Sequence, residues 1–190
     1  MKSPTIFYIG SWISLIFVYF VGLLGLFTTL EHASRLWFPD SALASTFGRF
    51  EPIFGSLDVR FTDQPALYAK DSFIALSFVS NITVMILAAL VAWYLHKLLR
   101  NIYRNSLFMF ENVSIFYKLG FIILILGSAA HYIDGMMVSQ AIRELAITNA
   151  FLTIPNLFYI DTVVAGVFLI LLASALNVAV KAVEENRQTI

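Results

Sequence analysis

Cysteine is absent from the 190-residue chain, and charge is scarce, with Asp, Glu, Lys and Arg together making up 13% of it. Without a thiol there is no disulfide framework, no thiolate metal site and no iron–sulfur cluster. Soluble domains carry about 25% charged residues. A water-soluble enzyme of this length would therefore lack the polar side chains needed to cover its surface. A basic excess is missing as well: 12 Lys and Arg stand against 12 Asp and Glu, so a surface for direct nucleic-acid contact is excluded. Apolar residues fill the space instead, at 59% of the chain, with a mean hydropathy of +0.83. Disorder is excluded by the same figures, and a membrane protein is implied.

Crossing roughly 30 Å of hydrocarbon takes about 20 largely apolar residues in a helix. No charged side chain lies between Lys2 and Glu31, so 6–30 is the first candidate span. The second is 73–95, between Asp71 and Lys97, and the fourth is 162–180, between Asp161 and Lys181. The third, 119–142, is interrupted only by His131 and Asp134. The first run is too long for a signal-peptide core, and Thr28-Thr29-Leu30-Glu31 follows it without a small-x-small site. It reads as an uncleaved helix. The expected fold is an all-α integral membrane protein, a single domain built as a four-transmembrane-helix bundle. A small extracytoplasmic cap over about 31–72 joins helices 1 and 2.

Orientation follows from the basic residues near the span ends. The segment 96–118 holds Lys97, Arg100, Arg104 and Lys118 against Glu111, a net of +3. Between Glu31 and Asp71 four basic residues face six acidic ones, a net of −2, and the last loop adds only Arg143. Both termini are therefore expected in the cytoplasm, with 96–118 as a cytoplasmic loop, in a plasma (inner) membrane.

About 40 residues is too long for a structureless connector, and the cap segment is aromatic: Trp37, Phe38, Phe47, Phe50, Phe54 and Phe61, punctuated by Pro39, Pro52 and Pro65. Leu57-Asp58-Val59-Arg60-Phe61 alternates apolar and charged residues, the period of a half-buried strand. A short strand or hairpin with some interfacial helix is expected. Aromatic anchoring among the headgroups explains this composition; a sensor or ligand lid is the alternative.

In the basic loop, Leu98, Leu99, Ile102 and Tyr103 recur at helical spacing, with Lys97, Arg100 and Arg104 on the other side. The second span should continue as a basic amphipathic helix, break at Asn105-Ser106-Leu107, and restart around Phe108. Such a surface attracts anionic lipid at about 1 kcal/mol per basic residue. A docking site for a cytosolic protein is the sharper alternative.

Asn105-Ser106-Leu107-Phe108-x-x-Glu111-Asn112-Val113, followed by Leu119-Gly120, resembles the internal loop of the bacterial membrane family called domain of unknown function 2975. The tail Glu184-Glu185-Asn186-Arg187-Gln188-Thr189-Ile190 is similar to that family's Glu-Glu-Asn-x-x-Thr-Val ending. The likeness is best from about His96 onward. It departs at Ala179, where the family has Gly, and at Ser114-Ile115, where a basic residue is common. The resemblance implies a four-span membrane protein without an established biochemical role. Members are often encoded beside a small helix-turn-helix regulator, which makes such a cytosolic protein the expected partner, beside the lipid bilayer and a second copy of the chain. The corresponding partner surface comprises Lys97, Arg100, Arg104, Phe108, Glu111 and Asn112 from the loop, with Glu184, Glu185 and Asn186 from the tail.

Ionisable groups within a span are functional candidates by default. His131 and Asp134, three apart, share one helix face with Ser128 and Gly135. The pair can relay a proton, hold a cation or bind a polar ligand, as in a small transporter or proton-linked carrier. Asp134 lies about 24 Å along the helix from Lys118, so a wetted pair at the outer headgroups is the simpler reading. Asn81 and Asn177 read as interhelical hydrogen-bond partners. Haem needs two imidazoles at one depth, and among His32, His96 and His131 only His32 and His131 are placed to meet. No His-Glu-x-x-His run and no nucleophile elbow occurs. The Asn81-Ile82-Thr83 and Asn112-Val113-Ser114 sequons are chance matches. No catalytic, metal or cofactor site is expected, and a non-enzymatic regulatory or partner-binding module fits best. Small residues that admit close helix contact are Gly10, Ser14 and Gly22 in the first span, Gly120 and Gly127 in the third, and Gly166, Ala173 and Ser174 in the fourth. No inverted repeat and no internal proline marks a transport pathway.

Overall fold

A computed structural model describes residues 5–55, 61–144 and 160–188, with side chains to 186. Among the described residues there is no strand, and four helices are long and apolar enough to cross a membrane. Each contains one expected span and overshoots it. Helix α1 runs Thr5–Trp37, α3 Asp71–Arg104 and α6 Ile160–Gln188. Helix α4, Phe110–Ile122, continues through a π-helical turn, Ile123–Gly127, into α5, Ser128–Glu144. Large apolar side chains stand exposed along them, among them Ile13, Phe17 and Phe20 of α1 and Val164, Phe168 and Leu171 of α6. Stripes of this kind suit contact with lipid chains rather than with water.

The ends have local causes. Phe38 N–H still reaches Ser34 O, at 2.9 Å, and Pro39 then forbids continuation of α1. Short helix α2, Ala42–Thr46, starts where Ser41 Oγ accepts the Ala44 N–H at 3.1 Å, and it ends before Gly48, whose φ of 68° suits glycine. Pro65 opens a 3₁₀ turn, Ala66–Ala69, which leads into α3. Asp71 in the first turn of α3 and Arg104 in the last both complement the helix dipole.

The chain divides into two compact units. The first comprises Met1–Gly22, Ile86–Ser128 and Ile160–Ile190. Its core is formed by Leu98, Ile115 and Leu119 in one cluster and by Val113, Leu176 and Val180 in another. Gly10 lets α1 approach α3, since a Cβ there would lie 3.1 Å from Leu99 Cδ1. Gly120 and Gly166 admit contact of α4 with α6, and Gly127 accommodates Thr162. Tyr117 OH and Ser174 Oγ are 2.8 Å apart across the same pair of helices. Gly22, expected to belong to a packing stripe, has no atom within 4 Å of a Cβ built on it.

The second unit comprises Leu23–Met85 and Ala129–Tyr159. Phe50, Leu67, Tyr68, Phe73 and Ile74 form its buried cluster. Tyr68 stacks on Phe73 at 5.3 Å and meets Phe50 and Phe61 edge-on. Burying each of the Phe50, Tyr68 and Phe73 rings stabilises the unit by about 1.5–3 kcal/mol. Arg35 ties the connector to α1: it pairs with Glu31 at 2.9 Å, donates to Gly48 O at 3.2 Å, and lies over the Phe50 ring. The strand expected over 57–61 lies, apart from Phe61, outside the described residues.

Candidate functional site

The α3–α4 turn is organised by one amide. Asn112 is 0% exposed. Its Nδ2 donates to Ser106 O at 3.0 Å and to Leu107 O at 2.9 Å, while its Oδ1 accepts from Asn101 Nδ2 at 3.0 Å. Ser106 Oγ in turn accepts the Phe108 N–H at 3.1 Å. A side chain whose polar atoms are all used in this way fixes the chain reversal. Asn112 is therefore not a surface group, as the sequence reading had it, but the buried support of the surface around it.

That surface carries the other expected residues. Lys97, Arg100 and Arg104 are exposed, with the Lys97 ammonium 5.3 Å from the Trp93 ring centroid. Phe108 and Phe110 are 45% and 50% exposed on the turn, and Glu111 is exposed in the first turn of α4. Glu184, Glu185 and Asn186 are exposed on the last turns of α6. Val180, four residues before Glu184, packs with Val113, the neighbour of Asn112. The tail thus starts beside the turn, a juxtaposition that sequence spacing does not reveal.

The expected pair in α5 is differently placed. Asp134 is 6% exposed, and its Oδ1 accepts the Gly55 N–H at 2.8 Å. This corrects the reading of Asp134 as a wetted interfacial carboxylate: connector backbone covers it. His131 is half-buried on the same helix. The connector also encloses an open groove of about 810 Å³ with Arg35, Asp40, Arg49, Gln64 and Asp71 among its walls.

The other two histidines each hold hydrogen bonds within the protein. His32 Nδ1 lies 2.8 Å from Thr28 O and Nε2 lies 3.4 Å from Ser77 Oγ, between the rings of Phe50 and Phe78. Both nitrogens of His32 are thus engaged within the protein. His96 is buried against Ser11, a pairing 85 residues apart in sequence that no local signal announces. Among the described residues no three His, Asp or Glu side chains gather as metal ligands. No protein-family model matches the chain, and comparison with curated proteins and with solved structures likewise finds no match.

Proposed function

We propose that the protein is a multi-pass protein of the bacterial inner membrane, with both termini in the cytoplasm, and that it serves as a non-enzymatic docking module for a cytosolic regulator. The sidedness rests on the +3 loop and the −2 connector. The resemblance to domain of unknown function 2975 supports a helix-turn-helix protein as the partner and a four-helix bundle as the scaffold. The observation that carries the docking reading is Asn112. A completely buried amide holds a turn whose outward side chains are aromatic and basic, and a preformed surface of this kind loses little entropy on binding. Nothing in that arrangement resembles a nucleophile, a base and an orienting group in sequence.

Partner recovery from detergent extracts tests it. Lys97→Glu combined with Phe108→Ala should abolish co-purification of the regulator, and Glu184→Lys should weaken it. Undiminished recovery from all three changes would end this reading. The buried carboxylate of Asp134 favours a second one, a proton-linked carrier working through Asp134 and His131. Loss of substrate flux in Asp134→Asn would support it.

A further inference from the structure

We infer that the cavity between α1 and α3 binds a phosphate oxyanion, presented by the headgroup of an anionic phospholipid. The cavity has a volume of about 300 Å³, at the small end of the range for ligand sites. Arg100, Arg104, Tyr8 and Tyr103 line it, as do His96 and Ser11. No acidic side chain lines it. Neither guanidinium has an ion-pair partner among the described residues, where the Arg35–Glu31 pair is the ion pair seen. Two arginines and two phenols around one cavity supply N–H and O–H donors and a positive field that no acidic side chain of the lining offsets. Planar guanidinium forks match the geometry of phosphate oxygens.

The inner end of the cavity is built to a different purpose. Ser11 O lies 2.8 Å from His96 Nδ1, so that nitrogen carries a proton and donates to the carbonyl, with Ser11 Oγ beside it at 2.9 Å. The ring is fixed, and Nε2 is left as the nitrogen with no protein partner among the described residues. It is an acceptor for a hydroxyl such as a glycerol headgroup carries. Trp12 and Leu15 complete the wall at this end with apolar surface. At the other end the Tyr8 and Tyr103 rings meet at 5.2 Å, next to Arg104.

Charge at the chain-reversal end and apolar surface toward the helix middles match an amphiphile, not a free ion. This step rests on the proposed orientation, in which the α3–α4 turn lies at the cytoplasmic headgroups. There a leaflet rich in anionic lipid delivers the phosphate at the required depth.

The test uses the full chain, delipidated in a mild nonionic detergent, with native mass spectrometry after addition of phosphatidylglycerol or phosphatidylcholine. Wild-type protein should retain phosphatidylglycerol in preference to phosphatidylcholine. Arg100→Gln with Arg104→Gln should lower that retention by about tenfold, and Arg100→Lys with Arg104→Lys should keep part of it. Both arginines are exposed, so an unchanged melting temperature should accompany the loss. Equal retention of the two lipids, or undiminished phosphatidylglycerol on the glutamine variant, overturns the proposal. Displacement of the lipid by millimolar inorganic phosphate would overturn the lipid assignment and give the cavity to a soluble phosphate. Lys97, Phe108 and Glu184, through which partner docking is tested, lie outside this cavity, so either idea can fail alone.

Discussion

Gly120 and Gly166 stand backbone to backbone: a Cβ on Gly120 would lie 2.8 Å from Gly166 O, and one on Gly166 would lie 2.9 Å from Gly120 O. Side chains crowd the same space, Ile170 at Gly120 and Leu124 at Gly166, but the carbonyls are main chain and cannot swing aside. In the proposed membrane setting the hydrophobic effect provides helices with no drive to associate, and packing of this closeness is then what joins α4 to α6.

Gly166→Ala should therefore separate α4 from α6 and destabilise the fold by about 1–3 kcal/mol, read as a lower melting temperature in detergent. Gly22→Ala provides the contrast, because nothing lies within 4 Å of the new methyl. It should be neutral or stabilise α1 by about 0.5–1 kcal/mol, since alanine loses less backbone entropy than glycine in a helix. Equal destabilisation by both would show that glycine content, rather than this contact, governs stability.

Asn112→Leu fills roughly the same space but removes one acceptor and the donors for two carbonyls. Ser106 O and Leu107 O would lose their partner. The expected cost is about 2–3 kcal/mol if both carbonyls stay shielded from water. Amide hydrogen exchange should rise selectively over 105–113, and partner recovery should fall although no exposed residue has changed. Asn112→Asp keeps the acceptor for Asn101 Nδ2 and loses the donors, so it should resemble the leucine variant rather than wild type.

The four long helices were legible because each carries a one-dimensional pattern, a long apolar run with little or no charge. Their ends were less so. Expected at 6–30, α1 continues to Trp37, because Glu31 and Arg35 pair one turn apart and the helix persists until Pro39 stops it. Hydropathy records where the chain is greasy, whereas a helix ends where its hydrogen-bonding ladder is broken. The basic face of α3 was likewise readable from its period. Asn112 stands in a motif, but its role is hidden there, since a polar side chain in a loop looks like surface until its partners are known. Gly55 with Asp134 and Ser11 with His96 had no signal at all. Each pairs residues about 80 positions apart through a single hydrogen-bonding group.

The Gly55–Asp134 contact separates structural from titration roles. Asp134→Asn still offers an Oδ1 to the Gly55 N–H and should keep the melting temperature close to wild type. Asp134→Leu leaves that N–H without this acceptor, a loss of about 1–3 kcal/mol. If the carrier reading holds, both substitutions should abolish flux. If the carboxylate only anchors the connector, Asp134→Asn should behave as wild type in every transport and growth assay, and a drop in flux with an intact fold would decide for the carrier.

Tyr68 gives the connector a pH dependence of its own. Burial within the Phe50, Phe61 and Phe73 rings raises its phenol above the usual value, and the negative charge of Glu51 pushes the same way. Because the folded state favours the neutral phenol, its contribution is complete below the ordinary tyrosine pKa of about 10 and is lost as pH climbs through the raised value. Unfolding midpoints measured across the alkaline range should fall more steeply for wild type than for Tyr68→Phe, which keeps the ring stacking on Phe73 and has no proton to lose. Glu51→Gln should lie between the two, removing the weaker of the causes and leaving burial in place. Ultraviolet absorbance of the phenolate should show a late ionisation that disappears in Tyr68→Phe. An alkaline limb identical in wild type and Tyr68→Phe would mean that the ring cluster opens to water before Tyr68 gives up its proton.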